Sequence, residues 1–150
     1  MNMVDIVDVS TRSRMMAGIK NRNTKPEILI RKLLHKKGFR FRLHVKDLPG
    51  KPDIVLPKYK AVIFVNGCFW HGHKDCHLFK LPATRTEFWQ AKITRNQAND
   101  SKSINLLLEN NWKVCVVWEC SIRGATKDPD KVIKLISEWL CDKGAFIEIA

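Results

Sequence analysis

Residues 52–67 read PDIVLPKYKAVIFVNG, and the fold turns on how this stretch is read. Two apolar runs rich in β-branched residues flank Pro57–Lys60, a tight turn opened by proline, so the segment predicts a β-hairpin. The second run, AVIFV, is apolar on both faces, which places it in the interior of a sheet. With Lys58 and Tyr59 as the turn, Asp53 lies opposite Phe64. Side chains opposite each other, or two apart on one strand, share a face. Asp53 and Asn66 are therefore expected on one face at the same end of the hairpin. Aspartate is depleted in strands. At this strand start, after LPGKP, it either accepts backbone bonds in the turn or serves a function, and we take the functional reading.

Upstream, TKPEILIRKLLHKKG (residues 24–38) predicts a helix, with Thr24 as N-cap, Glu27 three residues on as in a capping box, and Gly38 as the stop. Before it, STRSRMMAGIKNRN predicts a short basic helix with Met15, Met16 and Ile19 on its apolar side. FRFRLHV (39–45) alternates with period two and predicts a half-buried strand. Downstream, residues 86–111 predict a helix broken near Asp100, and WKVCVVWE (112–119) a buried strand. Asp128-Pro129 then opens a last helix through KVIKLISEWL. The order α-α-β-β-β-α-β-α implies an α/β fold: a mixed central sheet flanked by helices.

The 150 residues suit one domain with a proper core. No apolar run approaches the roughly 18 residues of a membrane span, and MNMVDIVDVSTRSRMM lacks a signal pattern, so a cytoplasmic protein is expected. The net charge of +12 is lopsided: residues 1–60 hold 15 Lys or Arg against 5 Asp or Glu. A field of that sign attracts a polyanion, and nucleic acid is the expected partner. Five cysteines in such a chain point to metal binding or burial rather than disulfides.

NGCFWHGHKDCHLF (66–79) follows the buried strand and carries two kinds of chemistry. Cys68, His73 and Cys76 are spaced C-x4-H-x2-C, three ligands of the type that holds zinc tetrahedrally, and a closed site of this kind is structural. The fourth ligand is His71, His77 or Cys120, whereas Cys115 and Cys141 are expected in the core. His71 is otherwise an unbound acid/base group. Phe69 and Trp70 cannot both point inward from one loop, so at least one is expected to be exposed or pressed on a partner, suited to stacking on or wedging between bases. Glu27, if it is more than a cap, is a second acid. Two carboxylates converging beside a basic surface are how Mg²⁺ is held at phosphodiester sites.

These residues, with VIFVNGCFWHGH, LFKLPATRTEFW, LPGKPD, VWEC and TRSRMM, give residues 10–142 a sequence that resembles the very-short-patch-repair (Vsr) DNA mismatch endonucleases. The resemblance implies a restriction-endonuclease-like fold of the PD-(D/E)xK type with a structural zinc site. It implies a Mg²⁺-dependent enzyme that nicks one strand 5′ of the thymine at T:G mismatches left by 5-methylcytosine deamination. By the same resemblance, the catalytic set is Asp53, Glu27, His71 and Asn66, with Mg²⁺ held by Asp53 and the Val65 backbone carbonyl. The zinc ligands are Cys68, His73, Cys76 and Cys120. Phe69, Trp70 and Trp89 intercalate at the mismatch, with Met16 and Ile19 approaching from the opposite side. Asn66 stands where the best-known member has a catalytic histidine, Val65 where it has threonine, and one extra residue separates His73 from Cys76. The expected organisation is one endonuclease domain over 1–150, with a basic DNA-contacting helical arm (1–22) and a catalytic core (23–142). A monomer in the bacterial nucleoid is implied, acting on double-stranded T:G DNA, with other mismatch-repair proteins as candidate contacts. The rival readings are a zinc-stabilised DNA-binding module without cleavage and a nuclease for another nucleic-acid structure.

Overall fold

The computed structural model describes residues 24–124 and 126–150. The expected N-terminal helical arm, with Met16 and Ile19, lies outside the described residues.

Helix α1 (Lys25–Lys36) starts where Thr24 Oγ1 accepts the Glu27 amide at 3.4 Å. It stops at Gly38, whose φ of +90° lets its own amide reach His35 O at 2.9 Å while Phe39 N reaches Leu34 O at 3.1 Å. Strand β1 is only Arg42–Leu43, shorter than the FRFRLHV alternation predicts, and His44 (φ 57°) bends the chain out of the sheet. Strands β2 (Ile54–Leu56) and β3 (Ala61–Asn66) are joined by a 3₁₀ turn, Pro57–Tyr59, closed by Lys60 in the left-handed region. Leu56 pairs with Ala61 and Ile54 with Ile63. Continued one residue, that register sets Asp53 opposite Phe64, as expected.

Helix α2 (Thr86–Glu109) runs 24 residues without the expected break at Asp100. The Asp100 side chain engages His71 across the molecule, so it does not compete with the local backbone as a helix-breaking aspartate would. Strand β4 (Lys113–Trp118) follows, then helix α3 (Pro129–Cys141), N-capped by Asp128 Oδ1 on Lys131 N at 3.2 Å. A fifth strand, β5 (Phe146–Ile149), completes the sheet and was not foreseen.

The strands lie in the order β1-β2-β3-β4-β5, antiparallel from β1 to β3 and parallel from β3 to β5, with β3 in the middle. Ile30 and Leu34 of α1 and Ile136 and Trp139 of α3 cover one face through Ile54, Ile63 and Val117. Leu107 of α2 covers the other through Val55, Val62, Val114 and Val116. Cys115 is fully buried as expected, but Cys141 is exposed, because it falls off the buried stripe of Val132, Ile133, Ile136 and Leu140. Among the described residues, no helix is long and apolar enough to cross a membrane.

Lys113 ties β4 to the end of α3. Its Nζ donates to Trp139 O at 2.6 Å and Asp142 O at 2.7 Å, placing a cation at the carbonyl end of the helix, where Trp139 O also accepts the Asp142 amide at 3.2 Å. Replacing Lys113 with Met is expected to cost about 1–3 kcal/mol, since charged hydrogen bonds to a helix terminus are lost together. Urea unfolding of the two proteins measures it.

Candidate active site and metal centre

Asp53 sits just ahead of β2 and turns its carboxylate onto the end of β3, where Oδ2 accepts the Val65 amide at 2.7 Å. Glu27, only 2% exposed, brings a second carboxylate from α1, and Arg31 Nη2 bonds its Oε2 at 3.1 Å. Burial, then the neighbouring Glu27, pushes the Asp53 carboxyl up to about 7; the Val65 amide and Arg31 pull the other way without winning. The Glu27 carboxylate faces Asp53.

The carboxylate opens into a cleft of about 290 Å³ lined also by Lys51, Asn66, His71 and Asp100. Asn66 (7% exposed) and Asp53 line it together, at the end of the hairpin where the register puts both. His71 bonds Asp100 Oδ2 through Nδ1. With Nδ1–H committed to a carboxylate, Nε2 is the ring nitrogen left to exchange a proton. Asp100 was missed by sequence reasoning. The trace it leaves is a polar continuation of the buried Ile93 position of α2 at helical spacing: Asn96 Nδ2 donates to Trp70 O at 2.8 Å, Gln97 Nε2 to Gly72 O at 3.1 Å, and Asp100 meets His71.

On the far side of the same loop, Cys68, His73, Cys76 and Cys120 bring their ligand atoms within 4.8 Å of one another. Cys68 follows β3 and Cys120 sits in a short 3₁₀ turn after β4, so the cluster joins the ends of two paired strands to the loop. His73 stacks on Trp118 (4.1 Å, 6° between planes), and Trp118 Nε1 donates to Glu148 Oε1 at 2.8 Å. Burial pushes the Cys68 and Cys120 thiols up and His73 down. His77 stays outside the cluster and His71 belongs to the cleft, leaving Cys120 in the fourth position.

Phe69, Trp70 and Trp89 meet edge to face with centroids 5.2–5.9 Å apart. Both Phe69 and Trp70 are half-buried, so neither projects alone as the loop sequence suggested; Trp89 from α2 packs against both. Lys92 Nζ lies 5.7 Å from the Trp70 ring centroid.

Residues 4–78 match the family model for the DNA mismatch endonuclease Vsr. The chain is 45% identical over 148 residues to the DNA mismatch endonuclease Vsr of Escherichia coli strain K12, covering 98% of this chain and 94% of that protein. It is 46% identical over 120 residues to the type II nicking enzyme V.XorIIP of Xanthomonas oryzae, covering 80% and 88%. It is 44% identical over 136 residues to the type II nicking enzyme V.NmeAIP of Neisseria meningitidis, covering 91% and 96%. The chain belongs to the Vsr family of DNA mismatch endonucleases.

As a Vsr-family protein it is a DNA endonuclease of mismatch repair, and two donor sets in the chain could hold metal ions. Zinc about 2.3 Å from sulfur and about 2.0 Å from nitrogen in a tetrahedron separates those atoms by about 3.5 Å. His73 Nδ1 lies 3.5 Å from both Cys68 Sγ and Cys120 Sγ, so the Cys₃His cluster can bind zinc. The Asp53–Glu27 pair offers hard oxygens, and its mutual repulsion is what a divalent cation relieves.

Two measurements check these sites. Cys120→Ser is expected to release zinc and unfold the domain at lower denaturant, because metal binding energy is folding energy; elemental analysis and urea titration read both. For Asp53, the folded carboxyl (about 7) lies above its ordinary value of 3.8, so between these the native state holds a proton that the unfolded chain has lost. Without divalent cation, stability should therefore fall as pH rises from about 4 to about 7. Asp53→Asn should flatten that slope and gain roughly 2–4 kcal/mol at pH 8.

Proposed function

We propose that this chain is a Mg²⁺-dependent endonuclease that nicks one strand 5′ of the thymine in T:G mismatches arising from 5-methylcytosine deamination. It would do so on a restriction-endonuclease-like scaffold of the PD-(D/E)xK type. The observation that carries the reading is that Asp53, half-buried and backed by the buried Glu27 carboxylate, lines one cleft with the His71–Asp100 pair. An anion-binding surface with no chemistry to perform has no use for two acids buried side by side, which weighs against a binding module without cleavage.

In this mechanism Asp53 would hold Mg²⁺, with Glu27 in support and the Val65 carbonyl as a further oxygen ligand. When bound, Mg²⁺ supplies charge neutralisation at the scissile phosphate and acidifies water. His71 accepts the proton of the attacking water at Nε2, and Asp100 orients the ring and stabilises the imidazolium that results. Asn66 contributes a neutral amide to the cleft. Cys68, His73, Cys76 and Cys120 would hold a structural zinc and so fix the loop that presents His71.

Substrate choice rests on the aromatics. Phe69, Trp70 and Trp89 would enter the base stack as one rigid block, at a cost of a few kcal/mol that is smaller where pairing is already imperfect. The basic arm of residues 1–22, carrying Met16 and Ile19, would hold the duplex from the other side, residues 23–142 forming the catalytic core of one domain. The expected setting is the bacterial cytoplasm and nucleoid, with the enzyme acting as a monomer.

Asp53→Ala is expected to lower the single-turnover nicking rate by at least about 10³-fold on T:G duplex while changing duplex affinity less than about threefold. Equal nicking of matched and T:G duplexes by the native protein, or nicking without Mg²⁺, would overturn the specificity or the cofactor. Trp70→Ala should narrow the gap in affinity between T:G and matched duplexes while leaving the salt dependence of binding nearly unchanged, because no phosphate contact is removed. A salt series on both duplexes measures it.

A further inference from the structure

The cleft is rich in negative charge for a site that must admit a phosphodiester. Asp53 and Asp100 line it, the buried Glu27 stands behind Asp53, Asn66 is neutral, and the Arg31 guanidinium bonds Glu27. His71 is engaged with Asp100. One further cation lines the cleft, Lys51, and among the described residues no carboxylate pairs with it.

The backbone that presents Lys51 is held in an uncommon shape. Gly50 (φ +73°) and Lys51 (φ +49°) are consecutive left-handed residues. Glycine takes that shape without cost, whereas lysine pays a steric penalty that glycine or asparagine would avoid. The turn is closed by Lys51 N donating to Leu48 O at 3.1 Å. It is also pressed onto α2: a Cβ at Gly50 would stand 2.7 Å from Ser103 Cβ and 3.2 Å from Phe64 Cε1. Strain retained beside a functional cleft points to a side chain whose position matters more than its backbone comfort. Two residues later the same turn delivers Asp53.

We propose that Lys51 contacts the scissile phosphate, its ammonium binding a non-bridging oxygen and stabilising the charge that builds there during strand cleavage. This deepens the nuclease reading and rests on it. The turn Leu48–Asp53 would then supply both signs of charge: the carboxylate that holds the metal, and the cation that holds the phosphate against it. No bond to Lys51 forms or breaks; its contribution is electrostatic.

The test compares native protein with Lys51→Asn, which removes the charge but tolerates a left-handed backbone, and Lys51→Arg, which keeps the charge. T:G duplexes carry a neutral methylphosphonate either at the linkage 5′ of the mismatched thymine or at a remote linkage. Binding is measured without added Mg²⁺, so nicking is not needed for the readout. Neutralising the first linkage should weaken native binding by about tenfold and Lys51→Asn binding by less than about twofold, the remote linkage affecting both alike. Single-turnover nicking of unmodified duplex should fall about 10²-fold in Lys51→Asn and recover in part in Lys51→Arg. The thermal midpoint of Lys51→Asn should equal or exceed that of the native protein. If native protein and Lys51→Asn are equally sensitive to the modified linkage, or nick equally fast, Lys51 has no such role. Failure of the native protein to nick T:G duplex would instead remove the nuclease reading, and the binding comparison still decides whether Lys51 meets that phosphate.

Discussion

Two carboxylates held against each other in a buried corner are the constraint around which this site is built. Asp53 and Glu27 repel, and burial denies them the water that would screen the repulsion. Left alone, such a pair separates or protonates. Here the hairpin register fixes Asp53 from one side, the Val65 amide gives its Oδ2 a bond, and α1 brings Glu27 in with Arg31 attached. Helix α1 can do this because Ile30 and Leu34 anchor it fully buried on the sheet. The apolar core is thus the source of the energy that keeps an unfavourable charge pair together, and a cation entering the corner finds that energy already stored.

The second constraint is mechanical and lies at the loop from Gly67 onward. A loop bearing three aromatics and His71 has little intrinsic order, yet the roles proposed for them would require side chains fixed in place. It is gripped from two directions. The Cys68–His73–Cys76–Cys120 cluster gathers its start and middle at the ends of β3 and β4, where a bound zinc would tie them. Helix α2 reaches across with Asn96 and Gln97 to the carbonyls of Trp70 and Gly72, on either side of His71. Gly72 fits under that grip because it lacks a side chain: at its φ of +59° a Cβ would stand 2.5 Å from Gln97 Nε2 and from Ile93 Cγ2.

What the sequence made legible follows from range. The hairpin, the cap at Thr24, the stop at Gly38 and the C-x4-H-x2-C spacing are local patterns, and local patterns report local geometry. Even the Asp53–Phe64 register could be read, because a tight turn transmits strand alternation across a short interval. Partners across long intervals could not. Asp100 looked like a helix breaker because its local chemistry favours turns, and only the loop standing over α2 gives it another bond. Strand β5 is four residues, FIEI, at the edge, defined by parallel pairing with β4 rather than by any turn of its own. At least one of Phe69 and Trp70 was expected to be exposed or pressed on a partner, an argument that omitted Trp89, which arrives from nineteen residues further along the chain.

The aromatic cluster then bears on how a wedge can work at all. A side chain that must open a base step does so only if yielding costs more than unstacking, and one exposed tryptophan rotates away for less than that. Phe69, Trp70 and Trp89 brace one another edge to face, Phe79 lies 6.2 Å from Phe69, and the Trp70 carbonyl is held by Asn96. Half-burial is therefore compatible with a wedge role, and it supplies the stiffness that exposure alone would not. Under the proposed function the same bracing would tie recognition to chemistry, since His71 follows Trp70 directly and is bonded to Asp100 of the same helix. A displacement of the aromatic block must pass to His71 through one peptide unit, so under the proposed function a rigid block seated at a mismatch would hold the histidine toward the cleft.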